Sequence, residues 1–149
     1  MSNETAGPDY LQLGREVLQQ QPFSRLLGAE LTAARRGHAQ LELALRPDLL
    51  QQYGFAHGGV VSYLADNALT YAGATALAVG VITSEFKINY VRPALGQRLV
   101  ARADAVAVSK TQAVCRCDVF AVAEGVEKLC AVAQGTITRR GGERSADEL

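Results

Sequence analysis

Asp66 stands in the middle of a run of apolar and small residues, VVSYLADNALTYAGATALAV, and nine positions ahead of it lies His57-Gly58-Gly59. An aspartate among Leu64, Ala65, Ala68 and Leu69 is costly to bury unless something pairs with it or uses it. An isolated mid-helix carboxylate is ordinarily a solvated surface group; here the nearly continuous apolar surroundings argue for a working one, able to accept a proton or to attack. The His-Gly-Gly triplet opens the same run. Backbone N–H groups at a helix start favour negative charge, and glycines leave them unobstructed, so a developing oxyanion would be stabilised there. Stepping by four from Gly58 gives Ser62, Asp66, Thr70 and Ala74, a stripe of small and polar side chains on one helix face where a cleft could lie.

The elements that must position these groups follow from hydrophobic period. Val60, Val61, Leu64, Ala65, Ala68, Leu69 and Ala72 recur at helical spacing and predict a helix over 58–78, apolar on most of its circumference and therefore enclosed. QQYGFAHGG before it reads as a loop. Residues 8–21 predict a short amphipathic helix carrying Leu11, Val17 and Leu18, weakened by Gly14 and stopped by Pro22. Strands are expected at 28–35 and 38–46 around an Arg36-Gly37 turn, the second with Leu41, Leu43 and Leu45 on its buried face. Beyond Gly80 the period is two: ITSEFKINYVRP places Ile82, Phe86, Ile88 and Tyr90 on one side and Thr83, Glu85, Lys87 and Asn89 on the other. Three further strand-like segments follow, with turns at 93–96, 109–110 and 124–125. A long apolar helix followed by long antiparallel strands packs by curling the sheet around the helix, an α+β architecture. Such a layer leaves a sheet edge and part of the helix uncovered, which predicts a dimer at least. The expected organisation is a helical extension over 1–22, a domain over 23–140 and a flexible tail over 141–149.

Composition bounds the function. The chain has 149 residues, 15 basic and 15 acidic side chains, and 48% hydrophobic residues. One domain with a real core fits that length. Zero formal charge and a pI near 6.7 argue against a nucleic-acid partner, and no apolar stretch reaches the ~20 residues of a membrane span. The opening MSNETAGPDY lacks the features of a signal peptide. Cys115, Cys117 and Cys130 fit neither a disulfide framework nor a zinc site, so they are expected reduced and buried in a cytoplasmic protein. His38 and His57 are too few and too scattered for a metal-ligand set.

QQYGFAHGGVVSYLADNALTYA resembles the signature segment of the hotdog-fold acyl-CoA thioesterases of the PaaI type, which runs approximately Asn-x5-His-Gly-Gly-x6-(Leu/Val)-(Ala/Val)-Asp-x-Ala. ITSEFKINYVRPALG resembles the strand that follows it, and the similarity spans about 25–140. The resemblance implies a helix wrapped by a curved antiparallel sheet, dimerised through sheet edges and commonly paired into tetramers, with sites at the subunit interface. By position it implies Asp66 as the catalytic carboxylate, general base or nucleophile, acting from the facing subunit. It implies His57 as the residue orienting the thioester and Gly58 as the N–H donor to its carbonyl. The family's polar residue on the following strand falls at Thr83, or at Ser84 with a one-residue shift. The family's Asn six positions before the histidine is Gln51 here, a longer amide that can still donate to a carbonyl oxygen or a water.

An acyl-CoA substrate brings anionic phosphates. Arg92, Lys110, Arg139 and Arg140, at expected strand ends and turns, are candidate partners for them. The expected activity is hydrolysis of an aromatic or medium-chain acyl-CoA, with no metal and no cofactor beyond the CoA of the substrate. Two alternatives accompany it: a non-catalytic acyl-CoA binding module, and a thioesterase acting on acyl groups held by a carrier protein. A hydratase of the same fold matches less well, because its Asp/His pair sits in a different motif.

Overall fold

The computed structural model describes residues 7–141. Two short helices, α1 (Tyr10–Gln19) and α2 (Pro22–Leu27), lead into β1 (Glu30–Arg35) and β2 (His38–Ala44). A single 3-10 turn (Pro47–Leu49) and a loop then lead to the 20-residue helix α3 (Gly58–Leu77). Four long strands complete the fold: β3 (Val81–Tyr90), β4 (Arg98–Val108), β5 (Gln112–Ala123) and β6 (Val126–Arg139). All six strands form one antiparallel sheet in the order β1-β2-β4-β5-β6-β3, and α3 contacts every one of them. This is the wrapped-helix arrangement expected above.

The sheet curls because its ladders are interrupted. Register shifts leave Thr32, Ser84, Val106 and Cys130 unpaired in their strands, and each such bulge bends its strand and sharpens the local twist. The concave face is paved largely with small side chains, including Ala39, Ala101, Ala103, Ala113 and Ala131, all fully buried. They let α3 sit close. At the tightest point a Cβ placed on Gly73 would lie 2.6 Å from the Ile137 side chain of β6.

Two expectations change near the N-terminus. Pro22, read as a stop, is the first residue of α2, where its missing N–H costs nothing and its fixed φ suits a helix start; α2 ends in left-handed Gly28. Gly14, read as a weakness, is a contact: it is buried, with space for a Cβ taken by Leu31 Cδ2 at 2.5 Å, and its carbonyl accepts from Tyr71 Oη at 3.0 Å. These contacts seat α1 on β1 and α3.

A third change concerns β3. The bulge at Ser84 reverses the side-chain alternation, so Val81 and Thr83 turn toward the helix together with Phe86 and Ile88, while Ile82 is exposed. The expected grouping of Ile82 with Phe86 fails because a strict period of two cannot pass through an extra residue. The tail expectation over 141–149 falls outside the described residues except for Gly141. No helix among the described residues is long and apolar enough to cross a membrane.

Candidate active site

The loop before α3 ends on His57, whose extended backbone makes it the N-cap, with Nδ1 accepting from the Gly59 N–H at 2.8 Å. This consumes one of the two glycine amides expected to be open. The other, on Gly58, has no acceptor among the described residues, and Gly58 borders a cleft of about 510 Å3. Gln51, Tyr90, Arg92 and Cys130 line the same cleft. The Gln51 side-chain oxygen is taken by the Tyr53 N–H in the turn, which leaves Nε2 as the free end of the amide. Tyr90 at the end of β3 donates from Oη to the Gly58 carbonyl at 3.0 Å, holding the first turn of α3 against the strand.

Asp66 lies on the one side of α3 that the fold leaves open. Gly58, Ser62, Asp66, Thr70 and Ala74 are all half-buried, whereas the residues around the rest of the helix are mostly buried. Asp66 Oδ1 accepts from Thr83 Oγ1 at 2.6 Å, and Thr83 Oγ1 is 3.0 Å from Thr70 Oγ1, which itself donates to the Asp66 carbonyl at 2.8 Å. Ser84 is the exposed bulge residue, and Thr83 is the one that reaches the carboxylate. Asp66 Oδ2 has no partner among the described residues.

Beside Asp66 runs a polar network that the sequence reading did not contain. Tyr63 Oη donates to Ser24 Oγ at 2.6 Å, Ser24 Oγ to Gln21 Oε1 at 2.6 Å, and Asn67 Nδ2 to Tyr63 Oη at 3.1 Å. With Gln20, Phe23 and Asp66 these residues line a second cleft of about 440 Å3. Burial raises the Tyr63 pKa, partly offset by the bonds to Ser24 and Asn67, so the phenol stays a neutral donor. Tyr63 and Asn67 are four apart on α3, a visible helical pair; Ser24 and Gln21 were hidden with the unexpected helix α2.

The remaining candidates are divided in space. Arg92 borders the Gly58 cleft and anchors one guanidinium nitrogen on the Leu129 carbonyl at 2.8 Å. Lys110, in the β4–β5 turn, and Arg139, at the end of β6 opposite Val81, lie together at the other end of the sheet. The length of β3 separates the two groups, about 30 Å, and Arg140 follows Arg139. All three cysteines are free and buried. Among the described residues no group of His, Cys, Asp or Glu side chains could hold a metal ion.

The family profile described as Thioesterase superfamily matches residues 53–128, the segment from the helix-leading loop to the start of β6. The chain belongs to the thioesterase superfamily. A relative from Archaeoglobus fulgidus, provisionally named an esterase, is 32% identical over 119 residues, covering 76% of this chain and 72% of its own. A thioesterase family protein from Silicibacter pomeroyi, known as a crystal structure, superposes with a TM-score of 0.81 at 34% identity, covering 87% of this chain and 96% of that one. A point mutant of the phenylacetic acid degradation protein PaaI from Thermus thermophilus superposes with a TM-score of 0.70 at 35% identity, covering 80% of this chain and all of the other. The fold is therefore the hotdog fold, and this thioesterase is a hydrolase acting on thioesters.

Proposed function

We propose that this thioesterase hydrolyses aromatic or medium-chain acyl-CoA at sites assembled from two copies of the chain. The observation that carries the reading is the separation of its two halves. Gly58 and Asp66 are eight residues apart on one straight helix, about 12 Å, so a single thioester cannot touch both in one chain. The carboxylate nevertheless lies on the open helix face, held by Thr83 and without a partner on Oδ2 among the described residues.

The outer edge of β3 offers unpaired backbone groups. Antiparallel pairing of two such edges about a two-fold axis sets the Tyr90 end of one copy beside the Val81 end of the other. Asp66 of one copy then approaches the Gly58 amide of its neighbour. The same pairing carries Lys110 and Arg139 toward the neighbour's Arg92, so the three cations converge on the CoA phosphates. A tetramer would pair two such dimers.

In the reaction, the thioester carbonyl oxygen accepts from the Gly58 N–H, with Gln51 Nε2 as second donor and His57 orienting the group. Asp66 takes a proton from water as the resulting hydroxide adds to the carbonyl carbon. Negative charge moves onto the oxygen at the helix start, where one well-placed donor lowers the barrier by about 2.7–4 kcal/mol. Collapse breaks the C–S bond, and the departing thiolate receives the proton from Asp66, leaving carboxylic acid and free CoA. Direct attack by Asp66, with hydrolysis of the resulting anhydride, uses the same geometry. The substrate places the work in the cytoplasm and requires no further cofactor.

A thiol-release assay over short, medium, long and aromatic acyl-CoAs tests the reading. Asp66→Asn should lower kcat by about 10²–10⁴-fold while binding CoA normally. Wild-type turnover by Asp66→Asn would overturn it, and CoA binding without thiol release from any acyl-CoA would make the protein a binding module.

A further inference from the structure

Asp66 stands between two recesses. Toward α2 the recess is lined by Pro22 and Phe23 together with Gln21, Ser24, Tyr63 and Asn67. In the other direction the open face of α3 continues past Thr70 as a groove of about 370 Å3. Thr70, Tyr71 and Ala74 form its floor, Leu13 and Val17 of α1 one wall, and the chain from Val79 to Val81 closes the far side; Gln21 borders both recesses.

The wall of the groove is fixed rather than loose. The Tyr71-to-Gly14 hydrogen bond and the filled space beside Gly14 seat α1 on the helix it faces. Leu13 and Val17 nonetheless remain about half exposed, at 51% and 49%. The fold thus holds two large apolar side chains along a channel and leaves them wet.

We propose that this groove takes the acyl chain, that the chain is an unbranched alkyl group of medium length, and that Leu13, Val17 and Ala74 set its limit. The inference rests on the reading of Asp66 as the reacting carboxylate and chooses between the two acyl classes which that reading leaves open. Continuity carries it: the groove begins at Thr70, one hydrogen bond from the Thr83 hydroxyl that holds Asp66. Length agrees. From Asp66 to Ala74 the helix rises about 12 Å, room for about eight to ten carbons before the chain meets Val79 to Val81. A single aromatic ring attached to the thioester carbonyl would fill only the near part and leave Leu13 and Val17 uncovered.

Each methylene buried in the groove should raise kcat/KM about fourfold. Measured on the full chain with butyryl-, octanoyl-, dodecanoyl- and benzoyl-CoA, the wild type should favour octanoyl over butyryl by on the order of a hundredfold and gain little from dodecanoyl. Ala74→Phe fills the floor and Val17→Trp narrows the wall from the surface, where no core packing is disturbed; each should bring the octanoyl-to-butyryl ratio close to one. That ratio is internal to each variant, so a loss of folded protein does not mimic the effect. Cleavage of both substrates with an unchanged ratio in both variants overturns the groove and leaves the Asp66 reading intact. Preference for benzoyl- over octanoyl-CoA does the same. So does a Leu13→Asp variant that splits a tetramer into still-active dimers in sedimentation without altering the chain-length profile, because the groove would then belong to a contact between dimers. A wild type that releases thiol from no acyl-CoA removes the Asp66 reading and this inference with it.

Discussion

Thr83 Oγ1 donates to Asp66 Oδ1 at 2.6 Å, from the edge strand to the middle of the central helix. The bond exists because the Ser84 bulge turns Thr83 inward next to Phe86. It fixes one carboxylate oxygen and leaves the other to meet a reactant. A hydrogen bond to a charged group contributes about 1.5–3 kcal/mol, so Thr83→Val should lower kcat about 10–100-fold with a smaller change in KM, while Thr83→Ser keeps most of the rate. Steady-state kinetics on one acyl-CoA decide it; equal rates for Thr83→Val and wild type would remove Thr83 from the mechanism.

Sharing of the site between copies has its own test. Asp66→Asn and a variant damaged at the other half, Gln51→Ala with His57→Ala, should each be nearly inactive. Unfolded together in equal amounts and refolded, half of the dimers are mixed, and each mixed dimer holds one intact site, so about a quarter of wild-type activity should return. No recovery above the two separate variants would place both halves in one chain.

The Gly73–Ile137 contact predicts a cost in stability rather than in rate. A methyl group at position 73 has nowhere to go, because Ile137 is fully buried and its Cβ, not a flexible end, is the nearest atom. Gly73→Ala should destabilise the fold by about 1–3 kcal/mol, despite the better helix propensity of alanine. Urea denaturation gives the number, and a variant as stable as wild type would show that α3 can shift off β6.

Burial pushes the Cys115 and Cys130 thiols up to about 11, and Cys117 higher still. In the unfolded chain the same thiols ionise near 9.0. A raised folded value means that their contribution is complete below pH 9 and is lost as pH climbs toward 11. In reductant, the denaturation midpoint should therefore fall between pH 9 and 10.5, and less steeply in Cys117→Ala. At pH 8 the native protein should leave all three thiols unmodified by a thiol reagent and expose them only on unfolding; rapid native labelling would contradict the packing of β5 and β6.

The helix over 58–77 and the alternation of Leu41 and Leu43 were legible because both are regular patterns of buried apolar residues, the first over most of a helix and the second on one face of a strand. His57, Gly58 and Asp66 were legible because their chemistry is unusual for their surroundings. What escaped depends on departures from regularity. The Ser84 bulge carries no residue type that announces it, so Ile82 was placed on the wrong side. Helix α2 is six residues long and begins with a proline, too short for a periodic signal, and with it went Gln21 and Ser24. Gly14 reads the same in a sequence whether it weakens a helix or lets one touch its neighbour. The distance of Lys110 and Arg139 from Arg92 is a property of strand length and order, which one-dimensional spacing does not contain.

The cap at the start of α3 also assigns labour between the two ionisable groups of the motif. With Nδ1 engaged by the Gly59 N–H, neutral His57 carries its hydrogen on Nε2. In that tautomer the imidazole has a proton to offer and no lone pair to lend outward, and it could collect one only by uncapping the helix. Base chemistry is thus closed to the histidine while the cap is intact, which in the proposed reaction leaves the proton to Asp66.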